Sequence, residues 1–301
     1  MLSKGRDREG TDMSSTLLRH FANGTQKTQT GARIGMEIET IYVFADTGAP
    51  ISQAISNRMR AETAGLPAHC RNNGIDLSRA THELVVGPCP TIEEVLERAA
   101  AGLAWQYGVA KRFGAVPVFA PEVQHDGPLV DAGTNPRDSL WLQLDGLAAL
   151  EQLTCASVQF TVDVHPQDAI GVINELWKRE VHLYDFAPND RRWRNYVALS
   201  AAGYDPLRYG GPHHFEDGFA GLHDYVEQLT LHDVVMHHGA LARLDAASVS
   251  DLDCELYLRS VWWHYRLRRP GPLAVEIRPF ARRADTCFEQ YWRLIAPVLG
   301  L

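Results

Sequence analysis

The chain has 301 residues, 45% hydrophobic and 22% charged, and its 29 Lys plus Arg against 37 Asp plus Glu leave a net charge of −8. This composition excludes disorder and coiled coil, and an acidic balance with no basic stripe argues against nucleic acid as a partner. No apolar run reaches the roughly 18 residues that span a bilayer, and the polar start MLSKGRDREG lacks the apolar centre of a signal peptide, so a cytoplasmic protein with no membrane partner is expected. Cys70, Cys89, Cys155, Cys254 and Cys287 stand singly and are odd in number, which suits reduced thiols better than a disulfide framework.

Residues 1–30 are polar and rich in Gly, Thr, Ser and Arg, and read as a loose leader with Met13 as an alternative start. From Arg33, RIGMEIETIYVF reads as a strand closed by the turn at Asp46-Thr47-Gly48, and a helix is expected over Ile51–Ala64. After a turn at Asn73-Gly74, THELVV at Thr81–Val86 is a second strand ending at Gly87-Pro88. The clearest helix follows, with Thr91 as cap, Glu94 closing a capping box, an apolar stripe at Ile92, Val95, Leu96, Ala99, Leu103 and Tyr107, and Gly114 as its stop. Val116–Ala120 is a short strand candidate, Pro136–Leu153 a helix, and SVQFTVDV at Ser157–Val164 a strictly alternating strand. Pro166 opens another helix through Ile170, Ile173, Leu176 and Trp177. Asp190–Ser200 reads as helix, Gly203–Gly218 as a long loop and Phe219–Met236 as helix; PLAVEIRPF is the last strand, before a closing helix over Thr286–Ile295. With no internal repeat and no linker, one α+β domain over residues 31–301 is the economical reading.

Side chains two apart on a strand share a face. Glu37 and Glu39 therefore stand together against Met36 and Ile38; Gln159, Thr161 and Asp163 against Val158, Phe160 and Val162; and Glu276 and Arg278 against Val275 and Ile277. A lone E-x-E is ordinarily a solvated face, and so is Glu83 in HELVV. Four separated strands that each pair an apolar face with a carboxylate-rich one are a different matter. Like charges facing one another cost stability unless a cation sits between them, and Mg2+ takes hard oxygen ligands together with substrate phosphates.

These segments resemble the glutamate–cysteine ligase-like carboxylate–amine ligases, relatives of glutamine synthetase. RIGMEIET is similar to the family's G-x-E-x-E first strand, HELVVGPCPTIEEV to its E-L-x-x-x-x-P-x-T-x-E-E-V segment, TCASVQFTVDV to its T-C-x-V-Q-x-N-x-D strand, and WWHYRLRRPGPLAVEIRPF to its W-D-x-R-P…G-T-x-E-x-R end, in family order from Arg33 to Phe280. The resemblance implies a curved antiparallel sheet whose concave polar face holds ATP and Mg2+, with Mn2+ as an alternative, and whose convex face carries the helices. It implies Glu37, Glu39, Glu83 and Glu276 as metal carboxylates with Gln159 helping, and Arg278 and Arg266 as catalytic arginines. Thr161, Asp163 and Arg278 then belong to the nucleotide site. His264 replaces the family Asp, Thr161 replaces an Asn, and Arg266 lies one residue further from Glu276 than the family spacing.

The implied reaction is ATP-dependent amide formation between a small-molecule carboxylate and an amine, amino acids being the expected class, through an acyl phosphate. A γ-glutamyl amide is one form of product. A phosphotransferase of the same fold and a catalytically silent binding or regulatory homologue are the alternatives, and a homo-oligomer is left open. Arg191, Arg192 and Arg194 in NDRRWRNY suit a substrate carboxylate as well as they suit an exposed cationic helix face. His213, His214, His223, His232, His237 and His238, with Glu216 and Asp217, fit no zinc spacing, which leaves a zinc hydrolase a distant rival. Walker, nucleophile-elbow and dinucleotide signatures are absent from the sequence.

Overall fold

The structure, a computed structural model, describes residues 13–23, 32–75, 78–123, 155–179, 209–210, 218–230, 234–237, 240–243, 254, 257–258, 261–269 and 271–301. In chain order these hold α1 (Met13–Asn23), β1 (Ile34–Phe44), α2 (Gln53–Ala61), β2 (Cys70–Ile75), β3 (Thr81–Cys89), α3 (Ile92–Arg112), β4 (Ala115–Val118), β5 (Ser157–Asp163), α4 (Ala169–Lys178), β6 (Tyr209–Gly210), α5 (Leu222–Leu229), β7 (Val234–His237), β8 (Ala240–Arg243), β9 (Trp262–Trp263), β10 (Tyr265–Arg268), β11 (Ala274–Ala281) and α6 (Phe288–Leu299).

The alternating, β-branched segment β1 is the hub of a seven-stranded sheet in the order β10-β11-β5-β1-β3-β2, with β4 on the far end of β1, and every pairing is antiparallel. The mixed helix-and-sheet architecture expected from the sequence is therefore present. Ile34, Met36 and Ile38 of β1, Val158, Phe160 and Val162 of β5, and Val275 and Ile277 of β11 form the dry face. Val95, Ala99 and Leu103 of α3, Ile173 and Leu176 of α4, and Phe288, Tyr291 and Ile295 of α6 close the core with them. Thr91 caps α3 as expected, its hydroxyl accepting the Glu94 N–H at 3.3 Å, and Gly114 ends that helix at φ +72°. The Glu94 carboxylate turns to Arg98 one turn on.

Register shifts interrupt three of the pairings, β1–β3, β5–β11 and β2–β3, and two of them bear on the site. Between Ile277 and Phe280 the β11–β5 register slips, so that β11 spends three residues where β5 spends two. Opposite Ile34, β3 passes so close to β1 that a Cβ on Gly87, which sits at φ +95°, would lie 2.8 Å from the Ile34 carbonyl oxygen and 3.3 Å from Gly35 Cα.

Several expectations are corrected. Within the stretch read as a loose leader, α1 is helical and buries Leu17 and Phe21 completely, Phe21 meeting Tyr225 of α5 edge-on; three apolar residues, Leu17, Leu18 and Phe21, are stripe enough once a neighbour covers them. Asn73-Gly74 is not a turn. It lies inside β2, where a register shift between Asn72 and Gly74 absorbs the glycine. The helix expected through Met236 stops at Thr230, whose hydroxyl donates back to the Val226 carbonyl, and the β-branched residues after it pair as β7 with β8. The helix expected over Ile51–Ala64 is trimmed at both ends, to Gln53–Ala61. The helices expected over Pro136–Leu153 and Asp190–Ser200 lie outside the described residues. Among the described residues, no helix is long and apolar enough to cross a membrane.

Candidate active site

Residues directly opposite in an antiparallel pair share a face, so the register itself assembles the polar surface. Glu39 faces Glu83, Glu37 faces Gln159, Thr161 faces Glu276, and Glu276 faces Arg266. The polar sides of β1, β3, β5, β10 and β11 thus form one continuous surface opposite the helix-covered core. Glu37, Thr161, Asp163 and Glu276 line a cavity of about 310 Å3 on it, together with Arg33, Gly35, Arg71, Val85, Gly87 and Arg268.

Glu276 is 2% exposed and surrounded by cations. Arg266 donates Nε–H to its Oε2, Arg268 donates to Oε1 at 3.1 Å, and Arg278 donates to Oε2 at 3.2 Å. Burial pushes its carboxyl upward, but the three guanidiniums together override this and hold it well below the usual carboxylate range. Arg266 is itself sealed, 4% exposed, and also donates to the Leu258 carbonyl at 2.6 Å and to that of Val261. Burial lowers its pKa to about 10 despite the carboxylate beside it. Arg278 and Arg268 keep 19% and 18% of their side chains accessible.

A second cluster orders the neighbouring acids. Glu39 is 7% exposed; its Oε2 accepts the Ser157 N–H at 2.6 Å and the Ser157 hydroxyl at 2.8 Å, and its Oε1 accepts the Gln159 amide at 3.1 Å. Through its own Oε1 Gln159 then accepts Arg278 at 2.8 Å, so the amide links Glu39 to the arginine cluster. Asp163 takes Arg33 at 2.7 Å at the cavity edge. Glu37 differs from all of these. Among the described residues its carboxylate has neither a hydrogen bond nor an ion pair. Burial and then repulsion from Glu276 raise its pKa, with Arg278, Arg268 and Arg266 only partly offsetting them.

An unpartnered carboxylate in a cavity wall, pushed upward by a second carboxylate, fits a cation. The adjoining guanidiniums fit an anion. A metal-bound polyphosphate presents both charges, so the donor set suits a divalent ion at Glu37 with phosphate oxygens toward Arg268 and Arg278. Glu39 and Glu276 are engaged with protein partners, and among the described residues no group of three His, Cys, Asp or Glu side chains stands ready to hold a metal by itself.

Arg268 and Ser157 escaped the sequence reading. Arg268 lies two residues from Arg266 and so shares its face, a signal that was available in the run RLRRP; nothing in the sequence singles out Ser157. Arg191, Arg192 and Arg194 lie outside the described residues, as do His213, His214, His232, His238, Glu216 and Asp217. His223 on α5 is exposed and stands 3.5 Å from Glu227. His264, at the position of the family Asp, packs on Trp177 with ring centroids 5.9 Å apart.

Among known proteins, the chain is 25% identical over 209 residues to a protein of Paenarthrobacter aurescens strain TC1 that carries the provisional name glutamate–cysteine ligase 2-3. The alignment covers 69% of this chain and 46% of that protein, so the chain spans about half the length of the curated relative it matches. Solved structures similar to it include a bifunctional glutathione synthetase from Pasteurella multocida, at 13% identity and TM-score 0.41 over 87% of this chain and 36% of that one. Another is a glutamate–cysteine ligase from Francisella tularensis in complex with AMP, at 11% identity and TM-score 0.42 over 91% and 67%. No family model matches. The resemblance to glutamate–cysteine ligases carried by the strand motifs is thus met again in a sequence comparison over 209 residues.

Proposed function

We propose that this chain is an ATP-dependent carboxylate–amine ligase, and that it works on the polar face shared by β1, β3, β5, β10 and β11. One observation carries the reading: Glu37, whose carboxylate has neither a hydrogen bond nor an ion pair among the described residues, lines a cavity together with Glu276, on which three guanidiniums gather. The curated relative's name supports the same chemistry. In that reaction a carboxylate oxygen of the substrate attacks the γ-phosphorus of ATP and the β–γ bridging bond breaks to release ADP. The amine nitrogen then attacks the acyl carbon, phosphate departs with its oxygen, and the nitrogen loses a proton.

The protein's tasks are to neutralise, position and exclude water. Mg2+, when bound, would neutralise polyphosphate charge, and Glu37 would hold it, with Glu39, Glu83 and Glu276 as neighbouring carboxylates on the same face. Arg278 and Arg268, whose side chains are partly accessible, can follow the transferred phosphoryl oxygens, a contact that gains strength as charge redistributes. Arg266 is a positioning residue, its guanidinium fixing Glu276 from beneath. Gln159 orients Arg278, and Ser157 orients Glu39. Thr161 and Asp163 line the nucleotide side of the cavity.

The test is to incubate the purified chain with ATP, Mg2+ and pairs of amino acids, reading phosphate release and product mass. Amide formation with stoichiometric phosphate is expected. A phosphorylated product without amide would move the assignment to a phosphotransferase, and binding of ATP without turnover would move it to a silent homologue.

A further inference from the structure

Among the described residues β10 is an edge of the main sheet, laddered to β11 alone, and it presents Arg266 and Arg268 to Glu276. The residues that alternate with them face the helices. Leu267 is fully buried in the core, and Arg269, one residue past the strand, donates to the His20 carbonyl of α1 at 3.0 Å. A buried N–H on the open side of an edge strand has no ladder partner and must be satisfied from elsewhere. The Leu267 N–H donates to the Tyr225 hydroxyl of α5 at 2.9 Å.

Tyr225 is fully buried, and its ring is met edge-on by Phe21 of α1, by Phe219 and by Trp263 of β9, with centroids 6.1, 5.0 and 5.5 Å away. Phe219 is fixed in turn by Asn174 of α4, whose carboxamide accepts the Phe219 N–H at 2.8 Å and donates to the Phe219 carbonyl at 2.9 Å. A ring boxed on three sides cannot follow the strand if the strand shifts, so its hydroxyl dictates where the backbone between the two arginines lies. We infer that Tyr225 is a positioning residue, through which α1 and α5 clasp the outer edge of β10 and set the place of Arg266 and Arg268 on the opposite face. Its effect on turnover rests on the ligase reading, in which Arg268 follows the transferred phosphoryl group, but the clasp itself is measurable without turnover. Small displacements of a group that must meet a moving phosphoryl cost rate, whereas resting ATP is shared with Glu37 and Arg278 and is less sensitive.

Tyr225→Phe removes the hydroxyl and keeps the ring. Tyr291→Phe is the matched control, since that fully buried hydroxyl also bonds to backbone, donating to the Ala281 carbonyl at 2.6 Å, but at the far end of β11. In nitrogen-15 spectra of the full chain, the Arg266 Nε–H resonance, which reports its bond to Glu276, should shift in Tyr225→Phe and stay in place in Tyr291→Phe. In the phosphate-release assay Tyr225→Phe should lower kcat about 10-fold with the KM for ATP within about twofold, and Tyr291→Phe should change both by less than about twofold. An unmoved Arg266 resonance in Tyr225→Phe overturns the clasp, as does an equal kcat loss in the two variants or a raised KM with kcat intact. A shifted resonance in Tyr225→Phe alone, with no turnover by wild type on any amino-acid pair, would sink the ligase reading and leave the clasp standing. Turnover by wild type that is indifferent to Tyr225→Phe would do the reverse.

Discussion

Glu276 and Glu37 are neighbouring carboxylates on one sheet face, and their neutralisation to glutamine should move stability in opposite directions. Glu276→Gln removes the counter-charge of Arg266, Arg268 and Arg278 while keeping the shape, so one sealed and two part-buried guanidiniums lose their carboxylate. Breaking a buried ion pair on one side costs about 3–5 kcal/mol, which for a chain of this size corresponds to a fall of roughly 5–8 °C in Tm. Glu37→Gln removes a charge that burial and Glu276 both oppose, and should stabilise by about 0.5–2 kcal/mol while abolishing ligase turnover, the trade-off expected where a strained group serves chemistry. The pH signs follow from the directions of the two shifts. The depressed carboxyl of Glu276 contributes stability above the ordinary pKa near 4.5, and that contribution is lost as pH falls toward its folded value. The raised carboxyl of Glu37 costs stability once pH exceeds its folded value, so the gain in Glu37→Gln should shrink as pH approaches 4.5 from above. Chemical denaturation at pH 7.5 and 5, followed by circular dichroism and paired with the phosphate-release assay, reads all four quantities. Destabilisation of Glu37→Gln by more than about 1 kcal/mol, or its retention of full turnover, would refute the reasoning.

Arg278→Lys keeps the charge but gives up the planar guanidinium, whose Nη1 donates to both Gln159 and Glu276 and whose other nitrogens are lost with it, and should lower kcat by about 10²-fold with much less change in ATP affinity; equal effects on both would mark it as a ground-state binder. His82, fully buried with its Nε2 2.9 Å from the Ser56 hydroxyl and its ring edge-on to Tyr42, has its pKa lowered to about 3, by burial first and then by Arg60. Because the unfolded chain takes up that proton near pH 6.5, stability should fall with pH below this point, by about 2 kcal/mol at pH 5. In urea titrations the stability of wild type should fall more steeply below about pH 6.5 than that of His82→Gln, and identical slopes would deny the effect. Gly87→Ala places a Cβ 2.8 Å from the Ile34 carbonyl oxygen at a positive φ, and should cost about 2 kcal/mol or more by thermal melting.

How much of this was legible in the sequence depended on whether a segment declares its own period. Strands β1, β5 and β11 alternate over five or more residues, β3 is a short β-branched run before Gly87-Pro88, and all four were read as strands; their carboxylates do meet on one face. By contrast β2, Cys-Arg-Asn-Asn-Gly-Ile, has no period and exists because β3 offers it a ladder, so Arg71 went unnoticed with it. The strand β10 was hidden by its own arginines. Within the site, E-x-E on β1 says that Glu37 and Glu39 are neighbours, but not that one would be bound by Ser157 and Gln159 and the other left open. That difference depends on which residue of β5 each one faces, a register no single strand contains.

The extra residue in β11 has a consequence for how one strand can serve two masters. Arg278 and Arg282 are four apart, and in an unbroken pleat both would look out from the polar face. The slip between Ile277 and Phe280 reverses the parity midway. Phe280 consequently stacks on Tyr291 with centroids 4.5 Å apart, and Arg282 is drawn fully inside, donating to Thr40 at 3.2 Å, to the Tyr107 hydroxyl at 2.7 Å and to Asp285 at 2.6 Å. The same backbone thus delivers one guanidinium to the polar face and, four residues later, another to the scaffold that ties β1, α3 and the entry to α6 together. Insertion of one further residue beside Pro279 would reverse the parity again, turning the Phe280 ring and the Arg282 guanidinium toward the polar face, whereas deletion of Pro279 would leave a regular strand with both still inside.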